Sequence, residues 1–305
     1  MSALSPQSFS IEPELPQPLK GRVVDTHCHM DMCEADGGPT PKTSYELARS
    51  VGVERIVQVG CDVRGSRRSV ELAKELEYVS AAVALHPNEA PSIHGQAGLT
   101  LLEAAYREIT ELARDPQVVA IGETGMDFYR TGPEGRAIQE ESFRYHIRLA
   151  KDLDKTLLIH DREAHEDVLR IMDDEGHPNR VILHCFSGDA NFAREAAERS
   201  WFCSFAGVIT FKNAQTTREA AAVVPPELTL VETDAPFLTP VPHRGKRNGA
   251  YLIPLTVRTL ADVQDRSEAE MCQILWDNSS RAFAGFESPD SSAVNDGTDN
   301  VLGQD

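Results

Sequence analysis

The chain has no apolar run approaching the roughly 18 residues of a membrane span, and no basic N-terminal region leading into an apolar one. A cytoplasmic location is the expectation. Paired cysteine spacing is also missing. Cys28, Cys61, Cys185 and Cys203 lie in or at the ends of apolar runs, without the close pairs of zinc ribbons or redox enzymes, and read as buried thiols in a reducing compartment. No glycine-rich phosphate loop follows the first apolar run, which argues against a doubly wound nucleotide-binding sheet. Positive charge is short as well: 30 Lys and Arg face 48 Asp and Glu, a formal net charge of −18. An acidic chain does not coat a polyphosphate through bulk attraction. Part of the excess lies away from the body, in Glu12, Glu14, Glu287, Asp290, Asp296, Asp299 and Asp305.

What is present is a regular alternation. Apolar runs near residues 22–29, 55–60, 79–86, 118–125, 156–160, 180–186, 202–207 and 229–234 read as strands. Amphipathic helical patterns separate them over Thr43–Val51, Arg64–Leu76, Ala97–Ala113, Gly135–Leu153, Glu163–Asp174, Asp189–Arg199 and Asn213–Val223. Two more follow, from Pro254 to Asp265 and from Ser267 to Ala284, the latter with an expected break near Asn278 and Ser279. Eight strands alternating with helices predict an α/β fold, a (β/α)8 TIM-type barrel, formed as one domain over 20–286. The proline-rich segment 1–19 and the acidic segment 287–305 read as disordered tails. The stretch Ala235–Leu252 has neither helical nor strand pattern, and a loop this long after the eighth strand suggests a lid over the barrel mouth.

The strand ends carry the chemistry. His27 and His29 close the first run, Glu123 the fourth, His160 the fifth, His184 the sixth and Asp234 the eighth. Being two apart, His27 and His29 share a face, here the barrel interior. A carboxylate at the end of an apolar strand needs a partner, because an unpaired buried ion is costly. Imidazole and carboxylate together form a divalent-metal donor set that accepts Mg, Mn, Zn or Ni. One ion is expected on His27, His29, Glu123 and Asp234 and a second on Glu123, His160 and His184, with Glu123 bridging. Asp25, Asp31 and Asp161 are candidate acceptors for the outer ring nitrogens. Two such ions activate water for attack on an electrophilic centre, with Asp234 positioned to take the proton. Around the mouth, His86, Arg162, Arg244, Lys246, Arg247 and Asn248 are candidate substrate-binding groups, since guanidinium matches phosphate oxygens.

Five segments together resemble the TatD family of metal-dependent deoxyribonucleases, among the amidohydrolase-like barrels. They are Asp25-Thr26-His27-Cys28-His29, Gly122 to Tyr129, His160 to Ala164, His184 to Gly188 and Glu232 to Pro236, and the resemblance spans Arg22 to Phe286. It implies a (β/α)8 barrel, a metal site on His27, His29, Glu123, His160, His184 and Asp234, and exonuclease or endonuclease action on DNA. One departure is visible: similar proteins commonly carry a proline soon after the segment matching Lys246-Arg247-Asn248, where this chain has Gly249-Ala250. The expected substrate is DNA, as single strands or frayed ends entering a narrow opening, with no membrane association and no obligate protein partner. The alternative on the same site is ester hydrolysis of the D-aminoacyl-tRNA deacylase type. A noncatalytic scaffold is disfavoured by the complete donor set.

Overall fold

The computed structural model describes residues 13–283 and 286. The apolar runs form eight parallel strands that follow one another in chain order around a single sheet. They are β1 (Val23–Cys28), β2 (Val53–Gly60), β3 (Val79–Val83), β4 (Val118–Asp127), β5 (Thr156–Arg162), β6 (Val181–Leu183), β7 (Phe202–Phe205) and β8 (Thr229–Val231). After β1 come α1 (Met30–Ala35) and α2 (Pro41–Ser50). Then α3 (Val63–Glu75), α4 (Glu89–Ala113), α5 (Pro133–Asp152), α6 (His165–Glu175), α7 (Ala190–Glu198) and α8 (Gln215–Val223) follow β2 to β7 in turn. Among the described residues the last two helices are α9 (Ile253–Val263) and α10 (Glu268–Ala282). This is the expected (β/α)8 barrel. Among the described residues no helix is long and apolar enough to cross a membrane.

The seam between the last and first strands is closed by the segment just past β8. Asp234 N donates to His27 O and His29 N to Ala235 O, both at 2.9 Å, and the Thr26 hydroxyl donates to Val231 O at 2.9 Å. Asp25 fastens the same seam: its carboxylate accepts Thr233 N at 2.9 Å and the Thr233 hydroxyl at 2.5 Å. Closure therefore fixes His29 and Asp234 relative to each other before any ligand is considered.

Two bulges set the facing of the strand ends. Between Asp25 and Cys28 the first strand advances three residues while its partner advances two, from Ile56 to Gln58. The same offset occurs in β4, where Ile121 to Thr124 opposes Leu157 to Ile159. An extra residue in a period-two strand exchanges its faces. Thus Val24 packs in the inner cluster with Val57, Leu158 and Leu230, yet Cys28 packs outside, and His27 takes the inner face. Likewise Ala120 is inside and Met126 outside, with Glu123 turned inward.

Several local expectations need correction. The helix expected to begin at Ala97 is the second half of α4, which starts at Glu89 and breaks at Gly98, whose φ of 74° suits glycine. The six-residue α1 carried too short a pattern to be anticipated; Gln58 anchors it, accepting Met30 N at 2.8 Å and donating to Asp31 at 2.7 Å. No break occurs at Asn278-Ser279. The Asn278 amide reaches the Pro226 and Thr229 carbonyls at 2.7 Å each, and the Ser279 hydroxyl caps Leu275 O, so α10 continues while Trp276 and Phe283 plug the lower barrel. Part of the expected N-terminal tail is attached: Leu19 N donates to Val51 O at 3.0 Å, and Arg258 holds the Gln17 and Pro18 carbonyls. Residues 1–12 and the expected tail 287–305 lie outside the described residues.

His146 on α5 is fully buried between the Ser142 carbonyl, 2.7 Å from Nδ1, and Leu85 N, which donates to Nε2 at 3.2 Å. Burial pushes its pKa down from 6.5 to about 4. The unfolded chain protonates first, so this group's contribution is complete above pH 6.5 and falls away as the pH drops toward 4. The shift corresponds to about 3 kcal/mol. Urea melts at pH 7.5 and 4.5 are expected to show a shallower acid loss in His146→Gln than in the wild type, by roughly that amount. Equal losses would contradict the assignment.

Candidate metal centre

Each donor lies within the C-terminal half of a strand or in the first residues beyond it. His184 follows the three-residue β6, Asp234 stands three residues past β8, and His160 lies within β5 opposite Gly125. Gly125 is required there: with φ of 141°, a Cβ would lie 2.1 Å from His160 O.

The other five sequence-identified donors gather around Glu123. On one side, His27 Nε2 and His29 Nε2 stand 3.1 Å apart and each lies 3.8 Å from Glu123 Oε1. Asp234 Oδ1 completes this set at 3.7 and 3.5 Å from the two imidazoles. On the other side, His160 Nδ1 and His184 Nε2 are 3.1 and 2.9 Å from Glu123 Oε2 and 3.3 Å from each other. Donors around one ion with bonds of about 2.0–2.2 Å stand roughly 3.0–3.6 Å apart. The second set, at 2.9–3.3 Å, is close to that spacing, while in the first set the carboxylate oxygens stand up to 3.8 Å from the imidazoles and are slightly wider. His86 joins the second group, with Nε2 at 3.8 Å from Glu123 Oε2 and its ring centroid 4.6 Å from that of His160.

The groups that orient the imidazoles are not the three aspartates expected from sequence. His29 Nδ1 faces Val59 O at 2.9 Å, His184 Nδ1 faces Glu232 Oε1 at 3.2 Å, and His160 Nε2 faces Asp127 Oδ2 at 3.4 Å. Asp25 is occupied at the seam, Asp31 by Gln58, and Asp161 by His165 at 2.7 Å. In the sequence Glu232 and Asp127 are simply second carboxylates near a donor at an apolar strand end, with no spacing that marks them as supports. Cys61 was missed as well. Its thiol donates to Glu123 Oε1 at 3.2 Å, and burial pushes it up to about 12.

Burial and crowding decide the protonation of the donors. Burial works against charge on Glu123, yet His86, His184 and His160 around it hold its carboxyl well below the usual range. Burial, with His184 alongside, keeps His27 neutral and lowers it further. His184 is also penalised by burial, but Glu232 and Glu123 raise it well above an ordinary imidazole. Protons here are held by carboxylates that a cation would satisfy instead, and metal binding would release them.

The substrate-binding expectations divide. His86 and Arg162 stand at the mouth, Arg162 with its guanidinium 3.9 Å above the Tyr129 ring. Arg244 stacks 4.0 Å over Phe211, and Lys246 is exposed, neither joining the donor cluster. Asn248 is buried and its side chain is used within the protein: Nδ2 donates to Thr233 O and Phe237 O at 2.9 and 2.5 Å, and Oδ1 accepts Gly249 N. It fastens the loop after β8 to the seam and has no free group for substrate. Arg247 is similarly tied to the Asp36 carbonyl.

A family model described as TatD related DNase matches residues 24–284. The chain belongs to the TatD family. It is 43% identical over 265 residues to a Mycobacterium tuberculosis relative described as the metal-dependent hydrolase TatD, covering 86% of this chain and 97% of that one. Identity to the Bacillus subtilis metal-dependent hydrolase YabD is 36%, over 86% and 98% of the two chains. The crystal structure of the Escherichia coli TatD homologue YJJV superposes with a TM-score of 0.76 at 25% identity, covering 86% and 98%. As a TatD-family member the protein is a metal-dependent hydrolase.

Within this centre Glu232 meets His184 Nδ1 at 3.2 Å and would act on a bound metal through that ring. Replacing Glu232 with Gln is expected to weaken divalent-metal affinity about 10–100-fold, read by competition with a chromogenic chelator. Unchanged affinity would remove Glu232 from this role.

Proposed function

We propose that this TatD-family hydrolase cleaves phosphodiester bonds in DNA, and that Glu123 and the donors around it would hold two divalent ions. The single observation that carries the reading is that Oε1 and Oε2 of Glu123 face separate donor sets, each completed by a pair of imidazoles. His27, His29, Glu123 and Asp234 would hold one ion, and Glu123, His160 and His184 the other. Bound there, the ions would supply Lewis acidity and a nucleophile at neutral pH.

The chain's own residues do the rest. Asp234 is the most open carboxylate of the cluster, its side chain 14% exposed against 6% for Glu123, and so can pass a proton between the centre and solvent. Glu232 holds the His184 ring by a hydrogen bond and Asp127 Oδ2 stands 3.4 Å behind the His160 ring, the inner nitrogens of both being directed at Glu123. Arg162 at the mouth offers a planar cation to a phosphate oxygen. The acidic chain favours a focused site over duplex coating, which supports single strands or frayed ends as substrate. The same reading places the enzyme in the cytoplasm, where its six unpaired thiols stay reduced.

The test is cleavage of an end-labelled single strand by protein stripped with a chelator and reloaded in turn with Mg²⁺, Mn²⁺, Zn²⁺ or Ni²⁺. Activity is expected to vanish on stripping and return on loading, and Asp234→Asn to lower kcat by about 10²–10⁴-fold with the fold intact. A D-aminoacyl-tRNA is assayed in parallel. Release of the amino acid, with DNA untouched by folded and loaded protein, would replace the nuclease reading with ester hydrolysis.

A further inference from the structure

Among the described residues, the exposed large apolar side chains are Leu15, Leu99, Leu101, Tyr129, Phe237 and Val241. The two aromatic ones, Tyr129 at 61% and Phe237 at 52% exposure, both flank the metal centre. Tyr129 stands two residues past Asp127, whose carboxylate is 3.4 Å from His160 Nε2. Phe237 stands three past Asp234, donates its N–H to Asp234 O at 2.9 Å, and sets its ring 6.4 Å from the His29 ring in an edge-on arrangement. The first lies beyond β4 and the second beyond β8, so in a barrel of strand order one to eight they occupy opposite walls.

Neither ring is loosely placed. Arg162 covers one face of Tyr129 at 3.9 Å, and Phe237 is held through its carbonyl, which accepts the buried Asn248 amide at 2.5 Å. An exposed aromatic held rigidly at the rim of a site is a surface for a flat ligand. The charge balance points the same way. At a net charge of −18 the chain gains little from counterion release along a polyphosphate, so affinity must come from another source. Stacking on a ring supplies it without regard to sequence.

We propose that Tyr129 and Phe237 are nucleobase platforms on either side of the metal centre, holding bases that flank the scissile phosphodiester. This deepens the nuclease reading and rests on it. Bases in a duplex are covered by their neighbours, so the pair selects single-stranded nucleic acid, and Arg162 backs one platform while remaining beside the phosphate path.

The experiment compares metal-loaded wild type, Tyr129→Leu and Phe237→Leu on two short single strands of equal length, one carrying bases and one abasic on both sides of the cleavable bond. On the base-bearing strand each variant is expected to raise KM about ten-fold or more, with kcat changed by less than about three-fold. The abasic strand should show no difference, metal content per chain should be unchanged, and Phe237→Trp should recover the wild-type KM. Variants that cleave the base-bearing strand with the wild-type KM would overturn the proposal while leaving the nuclease reading intact. If the wild type cleaves neither strand, the nuclease reading has failed, and a trinucleotide carrying 2-aminopurine decides the platforms separately. Quenching by the wild type that is lost in both leucine variants supports them, and absence of quenching overturns them.

Discussion

Glu123 is a buried carboxylate whose two oxygens face different nitrogens, with His27 and His29 toward Oε1 and His160 and His184 toward Oε2. Asp234 adds a second acid to the first set. Such a cluster cannot be stable as neutral imidazoles around bare carboxylates, because buried charge demands compensation. Either protons or cations must supply it. With protons, His184 is drawn toward the charged form by Glu232 and Glu123. With divalent ions, the imidazoles are freed to act as neutral ligands and the carboxylates keep their charge. The arrangement around Glu123 is thus the constraint from which the rest of the mouth follows.

The barrel serves that constraint through geometry that is local to the strand ends. The seam brings Asp234 against His27 by a backbone bond, and the bulges in β1 and β4 turn His27 and Glu123 toward the same interior. Strands that kept a strict two-residue alternation from Val24 or Ala120 would direct those side chains at the surrounding helices. Beyond the donors, rigid support continues outward: Val59 O and Glu232 fix the His29 and His184 rings, Asp127 lies 3.4 Å from the outer nitrogen of His160, and Asn248 pins the loop that presents Phe237. Support of this kind orients ligands for a metal.

Much of this was legible in the sequence, for a physical reason. A parallel strand buried on both faces is a short apolar run, and a His, Glu or Asp ending such a run is hard to explain without a partner. Eight runs and six donors therefore stood out, and the order of the strands around the barrel is the order of the chain. The supporting groups did not stand out. Asp127 and Glu232 look like any acid near a strand end, and Asp25, placed by sequence to orient a histidine, is consumed by Thr233 at the seam. Asn248 read as a free donor on a basic loop, but the loop folds it inward. Cys61 gave no spacing signal because its contact with Glu123 crosses from β2 to β4. The bulges were likewise invisible, since an inserted residue changes facing without changing composition.

The central claim is that one carboxylate joins two metal sites. Diffraction from metal-loaded crystals at wavelengths on either side of the metal absorption edge tests it most directly. The account predicts two anomalous peaks about 3.5–4 Å apart, one within bonding distance of each Glu123 oxygen. A single ion, or ions that leave Glu123 unbound, would contradict it.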